Sequence, residues 1–417
     1  MGGATDKHEW RALICAFVLF FLLFASYFML RPVRETFGIA GGVDNLQWLF
    51  LGTFVGALVV VPLYGWLAQR LPRSRLLPAT YSFSALVMSG FAIGLLTDPE
   101  NVWMGRGFYI WVSVFNLFVI SIAWSFMADV FNPDQARRMF GRIGAGASLG
   151  GLTGPLLSGL LVEPVGLAGL LFISVGLLLS TLICVRYLLV WNERYGSHDH
   201  AEPASKAVGG GIWAGLTTIA GSPILLAISL FIVLLSSVTT FLYFEQARIV
   251  EATFTDRVAQ TQVFSAIDVA VQSLTIFVQI FLTGLVARKL GMIALVAAVP
   301  FLMVAGFAVL ALFPAFGVLA AVMILRRVGE YSLVRPGREM LFSIVPPLVK
   351  YKSKNAIDTV VYRGGDAMSA WLNSLLVAMS GTAFAAWTGA GIALIWALVG
   401  LRIGKWYKGQ REDTQPA

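Results

Sequence analysis

The sequence predicts an all-α membrane protein with twelve transmembrane helices in two halves of six. Of its 417 residues, 58% are apolar and only 12% are charged, about half the charged share of ordinary soluble domains. The mean hydropathy of +0.80 extends over most of the chain, which argues against a soluble enzyme with one membrane anchor. The apolar stretches are about 20 residues long, which suits helices rather than the alternating strands of a membrane barrel.

A window of about 19 residues identifies the candidate spans. They cover residues 11–30, 46–68, 76–96, 108–130, 141–162, 167–190, 224–244, 264–286, 293–312, 318–334, 356–379 and 384–401. The first is longer than the apolar core of a signal peptide and lacks a small-residue cleavage site, so we predict a retained span. The longest polar segment follows the sixth span. We therefore predict an N-terminal half at 1–190, a cytoplasmic linker at 191–212 and a C-terminal half at 213–417 that ends in a short cytoplasmic tail.

Basic residues are distributed unequally between the two sides of the predicted bundle. The turns after even-numbered spans carry Arg70, Arg73, Arg75, Arg137, Arg138, Arg142, Arg194, Lys206, Arg288 and Lys289. The other loops carry little beyond Arg106, Arg248 and Arg257. Because positive residues mark the cytoplasmic side, we predict a multi-pass protein of the bacterial inner membrane with both termini in the cytoplasm. This asymmetry accounts for the net charge of +8 without a nucleic-acid partner.

Topology gives a first testable prediction. Reporter fusions after Gly209 and at the C-terminus are expected to report the cytoplasm, because an even number of spans returns the chain to its starting side. A fusion near Pro99 is expected to report the opposite side and serves as the control. Opposite locations for the two termini would contradict the twelve-span topology.

Cysteine and histidine are too scarce and too scattered to form a catalytic or metal site. Cys15 and Cys184 each lie in an apolar run, and neither implies a disulfide. His8, His198 and His200 lie in polar segments, which argues against a buried histidine relay or a metal cluster. No phosphate-binding loop of a primary pump occurs. We expect no enzyme activity, no cofactor and no metal, and a monomer surrounded by membrane lipids.

Arginine appears in a repeated pattern at the ends of two predicted spans. The motif Arg-Pro-x-Arg-Glu occurs at residues 31–35, after span one, and again at 335–339, after span ten. A weaker pair of similar strings is found at 134–137 and 245–248. Odd spans end outside and even spans end inside, so both pairs fit an inverted repeat about an axis in the membrane plane. Chance similarity of such short strings is the alternative.

Guanidinium groups match the oxygens of phosphate or carboxylate, so this pattern predicts an anionic substrate. The residues predicted to bind it are Arg31, Arg34, Arg335, Arg338 and Lys354. The residues predicted to act in gating are Glu35, Glu339, Arg137, Glu245 and Arg248. The alternative is that the arginines only form ion pairs that hold the gates. Since adjacent residues on a helix point in different directions, we expect Arg34 to pair with other spans rather than with Glu35.

Acidic residues inside spans form the complementary set, because a carboxylate in a low-dielectric environment can carry a proton. We predict a role in proton coupling for Asp268, Asp129 and Asp358, and we also expect Asp366 to be buried. Asp268 has the fewest basic neighbours in the sequence and is the first candidate. Its alternative role is a bond between helices or a partner for an arginine of another span.

Several motifs resemble those of the major facilitator superfamily. Gly65, Arg70 and Arg73, between spans two and three, resemble that superfamily's loop signature, although Gln69 stands where aspartate is usual. The corresponding turn in the second half, at residues 284–289, is similar. Span five is similar to its antiporter motif, with Ser158 replacing one glycine. The matching residues are Gly141, Gly150, Gly154, Pro155 and Gly159. The resemblance implies a major-facilitator-like bundle, and the glycines indicate either antiport or close helix packing alone.

Three further segments resemble the ATP:ADP antiporter family of nucleotide transporters: residues 27–35, 136–141 and 331–340, the last followed by Lys350, Lys352, Lys354 and Asp358. This resemblance implies a carrier of nucleotides or related phosphorylated solutes. Arg34 stands at a family lysine, and Arg338 or Lys354 stands at another basic position. The family's acidic residue in the fourth span falls near residues 112–116, where this chain has no carboxylate, and its seventh-span acid falls near Phe241. Strict nucleotide exchange is therefore in doubt, whereas an anionic substrate is not.

Three functions remain open. The leading hypothesis is a secondary transporter that moves an anionic, nucleotide-like solute by alternating access, through exchange or proton coupling. The second is a proton-coupled antiporter that exports an amphiphilic or drug-like compound, suggested by the glycines of span five and by the 13% aromatic content. The third is a non-transporting sensor or lipid-handling membrane protein, whose basic loop between spans ten and eleven holds lipid phosphates.

Overall fold

In the computed structural model, which describes residues 7–195 and 212–412, the regular elements are helical. The α-helices are α1 (Lys7–Ala40), α2 (Leu46–Arg70), α3 (Arg73–Thr97), α4 (Val102–Val130), α5 (Pro133–Tyr195), α6 (Ile212–Ala220), α7 (Pro223–Thr253), α8 (Arg257–Phe281), α9 (Thr283–Lys289), α10 (Gly291–Leu312), α11 (Phe316–Gly329), α12 (Arg335–Leu341), α13 (Pro347–Ala356) and α14 (Tyr362–Glu412). Short 3-10 turns occur at Val43–Asn45 and Phe342–Ile344, and π-helical turns at Glu330–Val334 and Ile357–Val361. Helices satisfy their own backbone hydrogen bonds, as a lipid environment requires.

Glycine bends divide two very long helices into spans. Within the described residues, nine helices are long and apolar enough to cross a membrane. α5 bends at Gly166 (φ 68°) and α14 at Gly381 (φ 82°), in the left-handed region that glycine tolerates best. Each of these helices therefore provides two spans. With α11, the π turn and α12 forming the tenth span, the fold is the expected all-α bundle of twelve spans in two halves of six.

The chain forms two compact units. Unit 1 contains the described parts of Met1–Gly41, Val59–Ala204 and Thr255–Gln272, and unit 2 those of Gly42–Leu58, Ser205–Phe254 and Ser273–Ala417. The segments that form the units are thus not contiguous in sequence, since parts of α2 and α8 are grouped with the other half. The domain limits expected from sequence stay a prediction. His198, His200 and Lys206, within the expected linker, lie outside the described residues.

The first and tenth spans continue as helix beyond their predicted ends. α1 continues to Ala40 rather than ending near residue 30, so the first Arg-Pro-x-Arg-Glu motif lies inside a helix. Pro32 does not stop this helix, and the Thr36 hydroxyl donates a 3.2 Å hydrogen bond to the Pro32 carbonyl oxygen. The second copy lies in α12, directly after a π-helical turn. π turns inside helices often occur at functional sites.

In unit 1, α1 and α5 pack closely along a face of small residues at Gly146, Gly150 and Gly154. A side-chain carbon added at Gly154 would lie 2.7 Å from the carbonyl oxygen of Ala25, and one at Gly150 would lie 2.9 Å from the Ala25 amide nitrogen. These positions therefore allow backbone-to-backbone approach, as small residues four apart do in membrane helices. Gly141 has no such neighbour, because no described atom lies within 4 Å of its added carbon.

This difference gives a matched pair of variants. Gly150→Ala is expected to lower the free energy of unfolding by about 1–3 kcal/mol, because the new methyl group meets the rigid backbone of α1. Gly141→Ala, on the same helix, is expected to be neutral or stabilising, because alanine favours helix over glycine. Detergent-induced unfolding of both purified variants measures the difference. Equal losses would show that helix propensity, not close packing, controls this face.

In unit 2, α7, α10 and α14 pack around fully buried aromatic residues. The rings of Phe231 and Trp396 have centroids 5.5 Å apart. Gly400 lets α14 approach α10, since a side-chain carbon there would lie 2.7 Å from the Val296 carbonyl oxygen. This packing fixes the part of α14 that follows the bend at Gly381 against α7 and α10.

Candidate functional site

The first Arg-Pro-x-Arg-Glu copy contributes to a group in unit 1 that we call the first arginine cluster: Arg31, Arg34, Glu35 and Asp268. Arg31 lies on α1 and Asp268 on α8, and Arg31 Nε is 3.7 Å from Asp268 Oδ2. The Asp268 side chain is only 5% exposed. Asp268, which has few basic neighbours in the sequence, thus lies beside an arginine of another span. This contact fits the alternative role of Asp268 as a partner for such an arginine. The contact with Arg31 does not test the role of Asp268 in proton coupling, which stays a prediction.

Arg34 is held by its own helix and by α4. Its guanidinium donates a hydrogen bond to the Glu35 carboxylate and another, 3.4 Å long, to the Ser113 hydroxyl. It also lies 5.3 Å from the centroid of the Tyr109 ring. The expectation that Arg34 would pair with other spans rather than with Glu35 was wrong. The arginine side chain is long enough to reach its neighbour, and a largely buried Glu35 favours a close cation.

The second arginine cluster lies in unit 2 and consists of Glu330, Arg326, Arg335 and Arg338. Glu330 opens the π turn after α11 and is 5% exposed. Arg326 Nη1 is 2.8 Å from one of its carboxylate oxygens, and Arg335 Nη2 is 3.4 Å from the other. Arg326 also donates a 2.8 Å hydrogen bond to the Thr239 hydroxyl. Glu330 therefore connects the second motif to the interior of the bundle.

Glu330 and Arg326 are site residues that were not predicted, although the sequence contains a signal for this ion pair. They are four residues apart, which places an acid and a base on one face of a helix. Both also fall inside predicted span ten, where charged groups are costly and usually functional.

A cavity of about 70 Å³ adjoins the second arginine cluster. It is lined by Leu235, Glu330, Val334, Arg335, Arg338 and Tyr362. Its charged lining thus comprises two guanidinium groups and one carboxylate, with a net positive charge. Arg335 lies 4.4 Å from the centroid of the Tyr331 ring, and 58% of its side chain is exposed. Such a site can attract an anion and offer it planar pairs of donors.

The remaining members of the second motif form a chain of ion pairs beside this cavity. Arg338 Nη1 is 2.9 Å from Asp358 Oδ1 but 3.9 Å from Glu339. Glu339 instead accepts two hydrogen bonds of 2.7 Å from Lys354 Nζ. The two motifs therefore differ locally, because Arg34 pairs with the following glutamate whereas Arg338 pairs more closely with a separate aspartate. Asp358 lies in the second π turn, which brings it to Arg338.

Asp366 forms a separate buried acidic centre in unit 2. Its carboxylate accepts hydrogen bonds from Ser236 (2.7 Å) and Thr240 (3.3 Å), and Arg363 Nη1 lies 3.4 Å away. Asp366 is 6% exposed, as expected from sequence. A carboxylate satisfied by two hydroxyl groups and one arginine is well placed to link α7 with α14.

The other acids differ from the expectation of burial. Asp129 is exposed, because it lies on the outer face one residue before α4 ends. Asp358 retains 37% exposure of its side chain beside Arg338. Both acids are more exposed than expected for the same reason. Hydropathy shows that a residue lies within a span, but not whether it lies on the face that packs against other helices. Asp268 remains the most buried of the three proton-coupling candidates.

The weaker pair of similar strings forms two different arrangements. Glu245 and Arg248 form a 2.7 Å ion pair in α7, and Arg248 also donates to Asn373 at 2.6 Å. In the other string Arg137 is exposed, and its neighbour Arg138 instead lies 3.3 Å from Glu9. The expected gating roles are not tested by these contacts. In the described part of the chain, no group of three or more metal-ligating side chains occurs.

Comparison with known proteins identifies relatives by sequence. A profile of the Major Facilitator Superfamily matches residues 12–347. Multidrug resistance protein MdtG from a Rahnella strain is 28% identical over 196 residues, which is 45% of this chain and 46% of that protein. The Serratia proteamaculans protein of the same name is 27% identical over 191 residues, with 44% and 45% covered. The chain thus spans about half the length of the curated relatives it matches.

Solved structures provide a comparison of the fold alone. A bacterial homologue of the iron transporter ferroportin, in its inward-facing state, gives a TM-score of 0.69 at 14% identity, covering 96% of this chain and 100% of that one. The nucleoside transporter NupG gives 0.58 at 13% identity, with 95% and 99% covered. Both alignments include nearly the whole chain, so the similarity concerns the complete bundle.

Proposed function

The chain belongs to the major facilitator superfamily, and from that premise we propose that it moves an anionic, phosphate-bearing solute across the cytoplasmic membrane by alternating access. The observation that carries the proposal is the cavity beside the second arginine cluster. Arg335 and Arg338 line it together with a single acid, Glu330. An arriving anion would balance the excess positive charge of this lining.

Ion-pair exchange provides a mechanism for opening the site. Arg335 contacts Glu330, and Arg338 contacts Asp358, so each arginine of this cavity already has a carboxylate partner. A phosphate group offers the same oxygen geometry and competes for the same donors. Binding would therefore release the contacts that hold α12 to the π turn at Glu330 and to the π turn at Asp358. A ligand shifts a conformational equilibrium only through such differential contacts.

More specifically, the proposed substrate is a nucleotide. The resemblance of segments 27–35, 136–141 and 331–340 to the ATP:ADP antiporter family supports it, and the basic residues Arg338 and Lys354 are retained at this end of the chain. The absent family carboxylates favour a wider range of phosphorylated solutes. Exchange and proton coupling are the two energy sources to be compared.

A proton-coupled exporter of amphiphilic compounds is the second candidate. The similarity to MdtG proteins favours it, as do the buried acids Asp268 and Asp366. In this case the arginines would hold the carboxylates in place, and no anion would be recognised. The two candidates therefore differ in the charge of the substrate.

Transport into proteoliposomes distinguishes these functions. The panel would contain labelled nucleotides, other phosphorylated metabolites, dicarboxylates and an amphiphilic cation, each with and without a proton gradient. We expect saturable uptake of a phosphorylated anion that Arg335→Gln weakens and that the control Arg75→Gln, at an exposed residue of α3, leaves intact. Gradient-dependent extrusion of the cation, without anion transport, would favour the exporter.

Asp268 provides a prediction about coupling. Asp268→Asn is expected to abolish accumulation driven by a proton gradient and to leave counterflow exchange largely intact, because the amide keeps the shape of the carboxyl group but carries no exchangeable acidic proton. Paired measurements of gradient-driven uptake and counterflow test this split. Glu163→Gln, at an exposed acid of α5 outside the predicted coupling set, is the control. Normal accumulation by the Asp268 variant would remove the assignment.

A double variant separates proton transfer from a simple ion-pair latch. Arg31 Nε lies 3.7 Å from Asp268, so Asp268→Asn also alters the environment of that arginine. If the pair acts only as a latch, adding Arg31→Gln should restore accumulation by removing the remaining charge. If Asp268 carries the proton, the double variant stays unable to accumulate substrate but keeps counterflow exchange, whereas loss of counterflow as well would assign substrate binding to Arg31.

A further inference from the structure

A second cavity in unit 2, of about 450 Å³, lies apart from the arginine cavity and shares none of its lining residues. Three cationic side chains line it: Arg288 and Lys289 from the end of α9, and Lys408 near the end of α14. No described carboxylate lines this cavity. The space is therefore large enough for a headgroup-sized ligand and is positively charged.

The helix packing explains why these three cations converge. Gly404 lies against the first turn of α10, where a side-chain carbon would be 2.9 Å from Ile293 Cγ1. This approach brings the end of α14, and with it Lys408, beside the turn that joins α9 to α10. That turn reverses at Gly291, whose φ of 69° lies in the left-handed region. The cationic groups are thus positioned by backbone geometry rather than by a flexible loop.

Two further features favour an anion in this cavity. Gly291, Met292 and Ile293 line it, so the backbone at the start of the 22-residue α10 faces the space. No side chain caps this helix start. Amide groups at an uncapped helix start carry partial positive charge and add to the three side-chain cations.

Exposed apolar residues, one that lines the cavity and two that precede lining residues in the sequence of α9 and α14, favour a lipid as the source of the anion. Leu290 is 66% exposed, Leu285 39% and Trp406 38%. Tryptophan is enriched at the membrane interface, where the rings contact both headgroups and acyl chains. A soluble phosphate would satisfy the cations alone, whereas a phospholipid would also cover these apolar side chains. All three cations belong to the side predicted to be cytoplasmic.

We propose that this cavity, which we call the basic cavity (Arg288, Lys289, Tyr407 and Lys408), binds the phosphodiester headgroup of an anionic phospholipid of the inner leaflet. Tyr407, only 5% exposed, contributes a phenol to the lining. The cations attract the phosphate, and the acyl chains lie along the exposed Leu290 of the cavity lining. The site is independent of the transported solute.

Native mass spectrometry of the full-length chain in detergent tests this site. Titration with dioleoylphosphatidylglycerol is compared with titration with dioleoylphosphatidylcholine, which has the same acyl chains but no net charge. We expect one molecule of the anionic lipid to bind at least tenfold more tightly than the neutral one. The variant Arg288→Gln/Lys289→Gln/Lys408→Gln is expected to lose about ten- to a hundredfold in affinity, since each basic residue near a membrane surface contributes attraction to anionic lipid.

A control variant with the same change in charge makes the result specific. Arg70→Gln/Arg75→Gln/Arg142→Gln removes three exposed cations of unit 1 from the same predicted side and should change the affinity less than threefold. An equal loss in the control would overturn the proposal in favour of diffuse surface charge. Equal binding of the two lipids would overturn it in favour of apolar contact alone. Displacement of the lipid by millimolar inorganic phosphate would assign the cavity to a soluble anion instead.

A single substitution covers the case in which the triple variant does not fold. Lys408→Gln alone should weaken binding of the anionic lipid about fivefold. Lys405→Gln, three residues earlier on the same helix and outside the cavity lining, should have a smaller effect. The reverse order of these two effects would place the lipid elsewhere on α14.

Discussion

Replacing Glu330 by alanine is expected to lower the free energy of unfolding by about 3–5 kcal/mol, because the buried Arg326 guanidinium loses its carboxylate partner. The two side chains are each 7% exposed, and their charged atoms are 2.8 Å apart. A charge left in a low-dielectric environment keeps its desolvation cost without the compensating attraction. The measurement is equilibrium unfolding of the purified chain in mixed micelles as the fraction of denaturing detergent rises.

Glu339→Ala is the matched control for this prediction. Glu339 also forms a 2.7 Å ion pair, with Lys354, but the Glu339 side chain is 48% exposed. An ion pair of that kind contributes about 0–1 kcal/mol, so a much smaller loss is expected. Similar losses at both positions would contradict burial as the cause.

A double variant then separates stability from transport. Arg326→Leu/Glu330→Leu removes both charges, and apolar replacement of a complete buried pair is often close to neutral for stability. We expect stability to recover, while transport stays impaired because Arg335 has lost the Glu330 contact that substrate binding is proposed to exchange. A double variant as unstable as Glu330→Ala would assign the stabilising contact to Arg335 instead.

The membrane architecture could be predicted from sequence because hydropathy reports directly on the cost of exposing polar groups to lipid. The bend at Gly166 had a local signal as well, since Pro164 closely precedes it in α5. The extent of α1 could not be predicted in the same way. Its last turns contain charged residues, and they continue as helix because Arg31 and Arg34 find partners in α8 and α4.

The candidate site was less predictable, for physical reasons that differ between residues. Repetition of Arg-Pro-x-Arg-Glu indicated where the arginines are, but not which acid each one contacts. Asp268 is far from Arg31 in the chain, and only the packing of α8 against α1 brings them together. The π turns that position Glu330 and Asp358 have no simple periodic signature, because they insert a residue into an otherwise helical pattern.

Replacing Arg34 or Arg338 by glutamine is expected to weaken substrate binding from one side of the membrane each. The two motif copies end at opposite faces of the predicted topology, so Arg34 should act in the outward-facing state and Arg338 in the inward-facing state. Each lost charge-assisted hydrogen bond is worth roughly 1.5–3 kcal/mol, so the apparent affinity on the affected side should fall about ten- to a hundredfold. Substrate titrations from outside and from inside, in oriented vesicles, measure this.

Two sets of control variants test whether the loss of affinity on one side of the membrane comes from anion binding by arginine. Arg34→Lys and Arg338→Lys keep the charge but lose the planar fork of donors, so they should lose less affinity than the glutamine variants if an anion is bound. Arg75→Gln, at an exposed position of α3, should have no effect.

The pairings in the structure make each outcome of the sidedness experiment interpretable. Arg34 contacts Glu35, and Arg338 contacts Asp358, so each glutamine variant also leaves one acid without that partner. Equal weakening from both sides by each variant would mean that the two clusters act on one central site. Unchanged affinity with altered transport rates would mean that the arginines are gate latches, which is what a transporter of neutral or cationic compounds requires. Weakening confined to one side for each variant is the result that only an anion contacted alternately by Arg34 and Arg338 explains.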